Sequence, residues 1–395
     1  MSGEGELWLK ITDFKTYSVY ANYRNWVFIK MFTDEGIYGV GEATIEWKTG
    51  AVLGALEDLR PYVIGADPRR FEQHFYECFR QLYWRLDPVT LSGISGLEMA
   101  MVDIAGKYFN LPAYQLFGGK MRDRIRIYGN GWWKGAETPE AIAAAAKATA
   151  EAGTSGLKWD PFGSCYWTIP NYEMDRVVKT VHLVREAVGP SVDLMIEGHG
   201  RFNVHTAIKI AKELEPFKPY YFEEPVTPDV IEDTVEVHRR SPIPIATGER
   251  FITKYMYREL LEKKGADYIQ PDVVHIGGMA EFKKIAGMAE AYNVQVAPHN
   301  PNGPVANAAN LHMCAATPNC EVLELLIRDA AWRGEISTEV YDIKNGEILI
   351  PDTPGLGIDL NIEAFEKYPR RFTPQTLFNN GLFTAYEAGA QKELL

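Results

Sequence analysis

Three glutamates stand at equal intervals in the chain: Glu197, Glu223 and Glu249 are each 26 residues from the next. Each closes or follows a short apolar run, in "LMIE", "YYFE" and "PIATGE". Three carboxylates brought to one place repel one another unless a cation holds them. An all-oxygen donor set favours a hard ion, and Mg²⁺ commonly keeps positions for a substrate. A second set of residues offers proton chemistry. Asp272 and His299 end two later apolar runs. A carboxylate bonded to an imidazole fixes its tautomer and raises its basicity, which makes a general base. His275 competes with His299 for that role, but "VAPHN" puts His299 at the end of an apolar strand and favours it. His74, His182, His205, His238 and His312 read as structural. In "LMIEGHGRF", His199 follows Glu197 by two residues, and residues two apart on a strand share a face.

These side chains need a frame that brings them together. From about residue 125, short apolar runs alternate with helix-like stretches. The runs are "RIRIYGN", "SGLKWD", "VDLMIEG", "YYFEEP", "IPIATGE", "DYIQPD", "VQVAPH" and "EVLELL". Their spacing of roughly 25–35 residues suits repeated βα units. Eight units close into a (β/α)₈ barrel, where chemistry gathers at the C-terminal strand ends. Those ends carry Lys158 and Asp160, then Glu197 and His199, Glu223 and Glu224, Glu249, Asp272, His299 and Glu324. Charge on seven successive strand tips exceeds what solubility requires. Ahead of the barrel, residues 7–45 alternate like antiparallel strands with a turn at Asp34-Glu35-Gly36, and residues 50–117 read as helices. The expected fold class is α/β: a TIM-like (β/α)₈-type barrel with an α+β capping domain. The expected division is a cap over 1–124, the barrel over 125–364, and a C-terminal segment, 365–395, returning to the cap.

Composition narrows the function. The chain has 395 residues, 46% hydrophobic and 24% charged, with a net charge of −12. That charge disfavours nucleic acid and anionic membrane surfaces as partners. The N-terminus lacks the basic-then-apolar pattern of a signal peptide, and no run of 18 apolar residues suggests a membrane span. Cys78, Cys165, Cys314 and Cys320 form no CxxC pair, which fits a reduced, cytoplasmic protein.

Several motifs together carry a family resemblance over nearly the whole chain. "SGLEMAMVDIAGKYFNLPAYQLFGG" (95–119), "EEP" (223–225), "GER" (248–250), "QPDVVHIGG" (270–278) and "APHNPNGP" (297–304) resemble the enolase superfamily, in its mandelate racemase branch, and within it the sugar-acid dehydratases. The resemblance implies Glu197, Glu223 and Glu249 as ligands of one Mg²⁺ per subunit, and the Asp272–His299 pair as base. It implies Glu324 as a hydrogen-bonding acid near the substrate carboxylate. "EGHGR" resembles a galactonate dehydratase motif whose histidine protonates the departing hydroxyl, which makes His199 the expected general acid. The family commonly has Asp as the first ligand where this chain has Glu197. Lys158 stands where racemases keep a second base, but Asp160 replaces the second lysine of their pattern. Asp160 and Arg201 are expected to contact substrate, with specificity set by cap loops at 18–25 and 44–50. The implied reaction converts D-gluconate or D-galactonate to a 2-keto-3-deoxy acid, with a racemase or epimerase as the alternative. The implied assembly is a homo-oligomer, an octamer among its forms. A zinc hydrolase barrel is disfavoured because the first strand, "RIYGNGWW", lacks an H-x-H pair. A non-catalytic scaffold has no reason to keep the acid–metal–base set.

Overall fold

In this computed structural model, residues 8–371 are described, apart from 340 and 342. Strands β1 (Ile11–Ala21), β2 (Arg24–Thr33) and β3 (Tyr38–Glu42) form an antiparallel meander. Helices α1 (Thr49–Val63) and α3 (Pro88–Phe109) pack on it, and α2 (Phe71–Gln81) packs against both of them. Helix α3 starts where the sequence demands: Pro88 takes the first helical position, and the Asp87 carboxylate accepts from the backbone N–H groups of Val89 and Thr90. It is the one described helix long and apolar enough to cross a membrane, yet 89% of its apolar window is buried inside the fold. Strand β3 rests directly on the α3 backbone. A Cβ on Gly41 would lie 1.9 Å from the Gly96 carbonyl oxygen, so the contact requires glycine.

The barrel strands are β4 (Arg124–Asn130), β5 (Gly156–Trp159), β6 (Asp193–Glu197), β7 (Tyr221–Glu223), β8 (Ile245–Thr247), β9 (Tyr268–Ile269), β10 (Gln295–Val296) and β11 (Val322–Leu326). Each lies within one of the eight predicted runs. They pair in parallel in chain order from β4 to β10, and β11 pairs with the other edge of β4. The remaining step of the ring is a single parallel bridge, Val296 to Cys320, just ahead of β11. Inside the ring, Tyr128, Met195, Tyr221, Ala246, Ala297 and Val322 form a small buried core. Outward-facing residues such as Leu157, Leu194, Ile196 and Phe222 pack against the surrounding helices. Because both faces are covered, the strands read as continuous apolar runs rather than alternating ones.

One element lies outside the predicted pattern. A hairpin of β12 (Ile343–Lys344) and β13 (Glu347–Leu349) pairs antiparallel with the first residues of β4. Its turn, Asn345-Gly346, has positive φ at both residues, which is the geometry that Asn-Gly favours.

Buried carboxylates from the cap hold the two parts together. Glu42 accepts from the backbone N–H groups of Gly303 and Ala306, at the start of the helix Pro304–Ala316 that follows β10. Glu98 does the same for Met279 and Ala280, at the start of the helix Met279–Ala291 that follows β9. Orphan N–H groups and the helix dipole both favour an anion there. Residues 365–371 also return to the cap: Val19 bridges to Pro369, and Tyr20 donates its N–H to the Tyr368 carbonyl. The rest of the expected C-terminal segment, 372–395, lies outside the described residues.

Candidate active site

The C-terminal strand ends open into one cavity of about 920 Å³ beneath the cap. Its floor is the carboxylate cluster. Glu197 ends β6, Glu223 ends β7 and Glu249 follows β8, and one oxygen from each lies within 4.8 Å of the others. Adjacent parallel strands bring Glu197 and Glu223 into direct register. Glu223 is fully buried, and its Oε2 has no hydrogen-bond partner. Burial, and then the charge of Glu197, pushes the Glu223 carboxyl well above its usual range. A buried oxygen without a donor, in a cluster of like charges, is the environment that a bound cation satisfies. The donor set therefore fits a hard divalent ion.

Lys158 lies under the same cluster. Its ammonium is 3.1 Å from Glu197 and 3.3 Å from Glu324, and it donates to Glu223 at short range. Burial opposes its charge, but the four surrounding glutamates outweigh burial and hold it protonated well above the ordinary lysine range. Lys158 therefore stands among the carboxylates of the cluster itself. Glu324 lies beside it. It is fully buried behind Asn130 and Lys158, which do line the cavity. It accepts from Asn130 Nδ2 at 2.6 Å and from the Asn300 N–H at 3.0 Å. Burial opposes its ionisation, while Lys158 and then His299 pull its pKa below the usual value.

Two Asp–His pairs flank the cluster. His299 follows β10, and its Nδ1 is 2.8 Å from Asp272 Oδ2. Asn302 Nδ2 donates to both Asp272 oxygens, and the Val274 N–H to one of them. Asp272 has two histidines near it, and geometry decides between them: His275 Nε2 stands 3.8 Å away while its Nδ1 meets Ser92 Oγ at 2.8 Å. Burial lowers the His299 pKa, but Glu249, 3.4 Å from Nε2, and then Asp272 raise it to about 10. A cation on Glu249 would offset that carboxylate's share of the rise.

The second pair joins residues that the sequence shows only separately. His199 Nδ1 lies 2.8 Å from Asp160 Oδ2. His199 adopts φ +49°, an uncommon left-handed conformation for a non-glycine residue. Its N–H donates to Glu197 Oε1 at 2.6 Å, and its carbonyl accepts from Arg250 Nη2 at 2.8 Å. Asp160 lines the cavity, but its oxygens are engaged: Oδ1 by the Phe162 N–H, Oδ2 by His199 and Arg201. Arg201 is fully buried, does not line the cavity, and also donates to the Gly198 and Gly163 carbonyls. Of the two residues expected to contact substrate, Asp160 reaches the cavity while it also holds His199 and Arg201, and Arg201 lies behind it. Arg250 and Asn130 were missed, although "GER" and "RIRIYGN" contain them. Both line the cavity.

The expected cap loops supply Tyr23, Ile45, Glu46 and Trp47 to the wall, and the start of α3 with the turn before it adds Leu86 and Pro88. Among the histidines read as structural, His312 is buried against Tyr114, and burial lowers its pKa to about 4.

Known proteins resemble this chain in sequence and in fold. Residues 140–364 match the enolase C-terminal domain-like family. Residues 14–118 match the N-terminal domain of mandelate racemase and muconate lactonizing enzyme. A D-galactonate dehydratase from Pectobacterium atrosepticum is 35% identical over 361 residues, covering 90% of this chain and 93% of its own. A D-gluconate dehydratase from Thermoproteus tenax is 34% identical over 344 residues, covering 87% of this chain and 69% of its own. A mandelate racemase/muconate lactonizing enzyme structure from a Jannaschia species superposes with a TM-score of 0.86 at 32% identity, over 94% of this chain and 100% of that one. The carboxylate cluster at the strand tips, the two-part fold and these matches agree: the chain belongs to the mandelate racemase/muconate lactonizing enzyme family of the enolase superfamily.

Proposed function

We propose that this protein is a Mg²⁺-dependent sugar-acid dehydratase that converts D-gluconate, D-galactonate or both to the 2-keto-3-deoxy acid. The observation that carries this reading is the placement of two histidines, His299 and His199, on one cavity with the carboxylate cluster between them. Glu197, Glu223 and Glu249 would hold the ion, which supplies positive charge beside the substrate carboxylate as proton loss makes it more negative. His299 Nε2 takes the proton from C2, and the C–H electron pair moves into the carboxylate as an enediolate. That pair then forms the C2–C3 double bond while the C3–O bond breaks. His199 gives a proton to the departing oxygen, which leaves as water. The enol product gains a proton at C3 and becomes the ketone. A His or Lys base acting beside Mg²⁺ is the general pattern of enolase-superfamily sites, and this reading follows it.

The racemase alternative needs a free base facing His299. Lys158 is engaged by Glu197, Glu223 and Glu324, and Asp160 by His199 and Arg201, which favours the dehydratase over it. D-Gluconate and D-galactonate share configuration at C2 and C3 and differ at C4, where contacts worth about 1–3 kcal/mol discriminate. D-Mannonate presents its C2 proton away from His299, and proton transfer requires close approach. The test is to incubate the Mg²⁺-loaded protein with a panel of sugar acids and assay 2-keto-3-deoxy products. Turnover of D-gluconate or D-galactonate with little from D-mannonate is expected. Efficient turnover of D-mannonate with both C4 epimers untouched refutes the stereochemical assignment. Deuterium uptake at C2 without loss of water converts the reading to an epimerase.

A further inference from the structure

The geometry assigns Asp160 as a positioning residue that presents His199 to the C3 hydroxyl, an inference that rests on the dehydratase reading. Three features carry it. First, Asp160 is locked before it meets His199. Its Oδ1 accepts from the Phe162 N–H at 2.9 Å, which ties the carboxylate to the turn that leaves β5. Its Oδ2 meets the fully buried Arg201, whose other donors reach the Gly198 carbonyl at 2.9 Å and the Gly163 carbonyl at 2.8 Å. Arg201 thus braces the loops after β5 and β6 against each other, and a buried guanidinium requires an anionic partner. Second, Asp160 Oδ2 lies 2.8 Å from His199 Nδ1, so the ring edge that remains for the cavity is Nε2, which makes no hydrogen bond among the described residues. A carboxylate on one ring nitrogen sets what the other presents. Third, the two Asp–His pairs oppose each other. Asp160 and His199 follow β5 and β6; Asp272 and His299 follow β9 and β10, four strands further around the eight-strand ring. A substrate carboxylate over the glutamates between them therefore has one imidazole on each side. Proton removal from one side and hydroxyl departure towards the other is an anti elimination.

The position matters because Asp160 stands where the racemase pattern would have a second lysine. Here that position does not act on C2 at all. It aims the acid that acts on C3.

The experiment compares two leaving groups at C3 in the metal-loaded, full-length enzyme: the natural hydroxyl, and fluoride in the 3-deoxy-3-fluoro analogue. Fluoride leaves as a weak base and depends less on a proton from His199. Asp160→Asn is expected to lower kcat for water loss by about 10–100-fold, with KM changed by less than about threefold. Fluoride release should fall by much less, and deuterium exchange at C2 should continue. Equal loss of water elimination, fluoride release and C2 exchange overturns the assignment, because that pattern means the site has merely collapsed. Should Asp160→Asn not fold, neutron diffraction of wild-type crystals decides: a deuteron on His199 Nδ1 facing Asp160 is expected, and its absence overturns the assignment. If no sugar acid is dehydrated, the dehydratase reading fails separately, and the same neutron result still decides whether Asp160 orients His199.

Discussion

The two Asp–His pairs use the same residues at nearly the same distance, 2.8 Å, and differ in what stands behind the aspartate. Asp272 has no exposed side-chain surface and is held by neutral donors, the Asn302 amide and the Val274 N–H. Its full charge faces His299. Asp160 keeps 17% of its side chain exposed and shares its charge with the Arg201 guanidinium. His299 also pairs with Glu249, whereas the His199 side chain makes no hydrogen bond or ion pair to a metal-site glutamate among the described residues and its backbone is tied to Glu197. An Asp–His pair therefore has no fixed role. Where the carboxylate is backed by neutral groups and a second carboxylate lies near, the imidazole gains affinity for a proton, as a base requires. Where a guanidinium claims part of the charge, the pair's main effect is orientation.

Breaking what the pairs share should have the largest effect. Glu223→Gln removes charge from the cluster between them and should abolish turnover and weaken Mg²⁺ binding by at least about tenfold, measured by calorimetry. Full activity in excess chelator would refute the metal requirement. Next, His299→Asn should lower dehydration by about 10²–10⁴-fold and stop C2 exchange in heavy water to the same degree. Wild-type exchange in that variant would hand the base role to His275 or Lys158. His199→Asn should lower dehydration over a similar range while sparing C2 exchange, so the ratio of exchange to dehydration separates the pairs. Normal dehydration would remove His199 from the mechanism. The smallest effect is expected from Asn302→Ala, which deletes a donor to Asp272 and should lower C2 exchange by about tenfold. A change confined to water loss, with exchange intact, would show that Asn302 supports the wrong pair.

Much of the frame was legible in the chain because parallel strands covered on both faces are unbroken apolar runs, and all eight barrel strands fall within such runs. The β12–β13 hairpin escaped because its strands are only two and three residues long and partly exposed, although Asn345-Gly346 marked the turn. The charged strand tips were legible as a set. Their partnerships were not. Asp160 and His199 are 39 residues apart, and Lys158 reaches Glu324 across the barrel floor.

The sequence by itself determined the repeating βα plan, the 26-residue interval of the glutamates and the presence of acids and histidines at the strand tips. Those follow from local periodicity and from where each apolar run stops. Only the tertiary structure decided that Lys158 is locked among carboxylates, that Glu324 is buried beside it, and that Asp160, Arg201 and His199 meet. Hydrogen bonds and buried charges depend on distances of a few ångströms between residues far apart in the chain. Residue type names what a side chain can do, and the neighbours that folding brings to it decide which of those things it does.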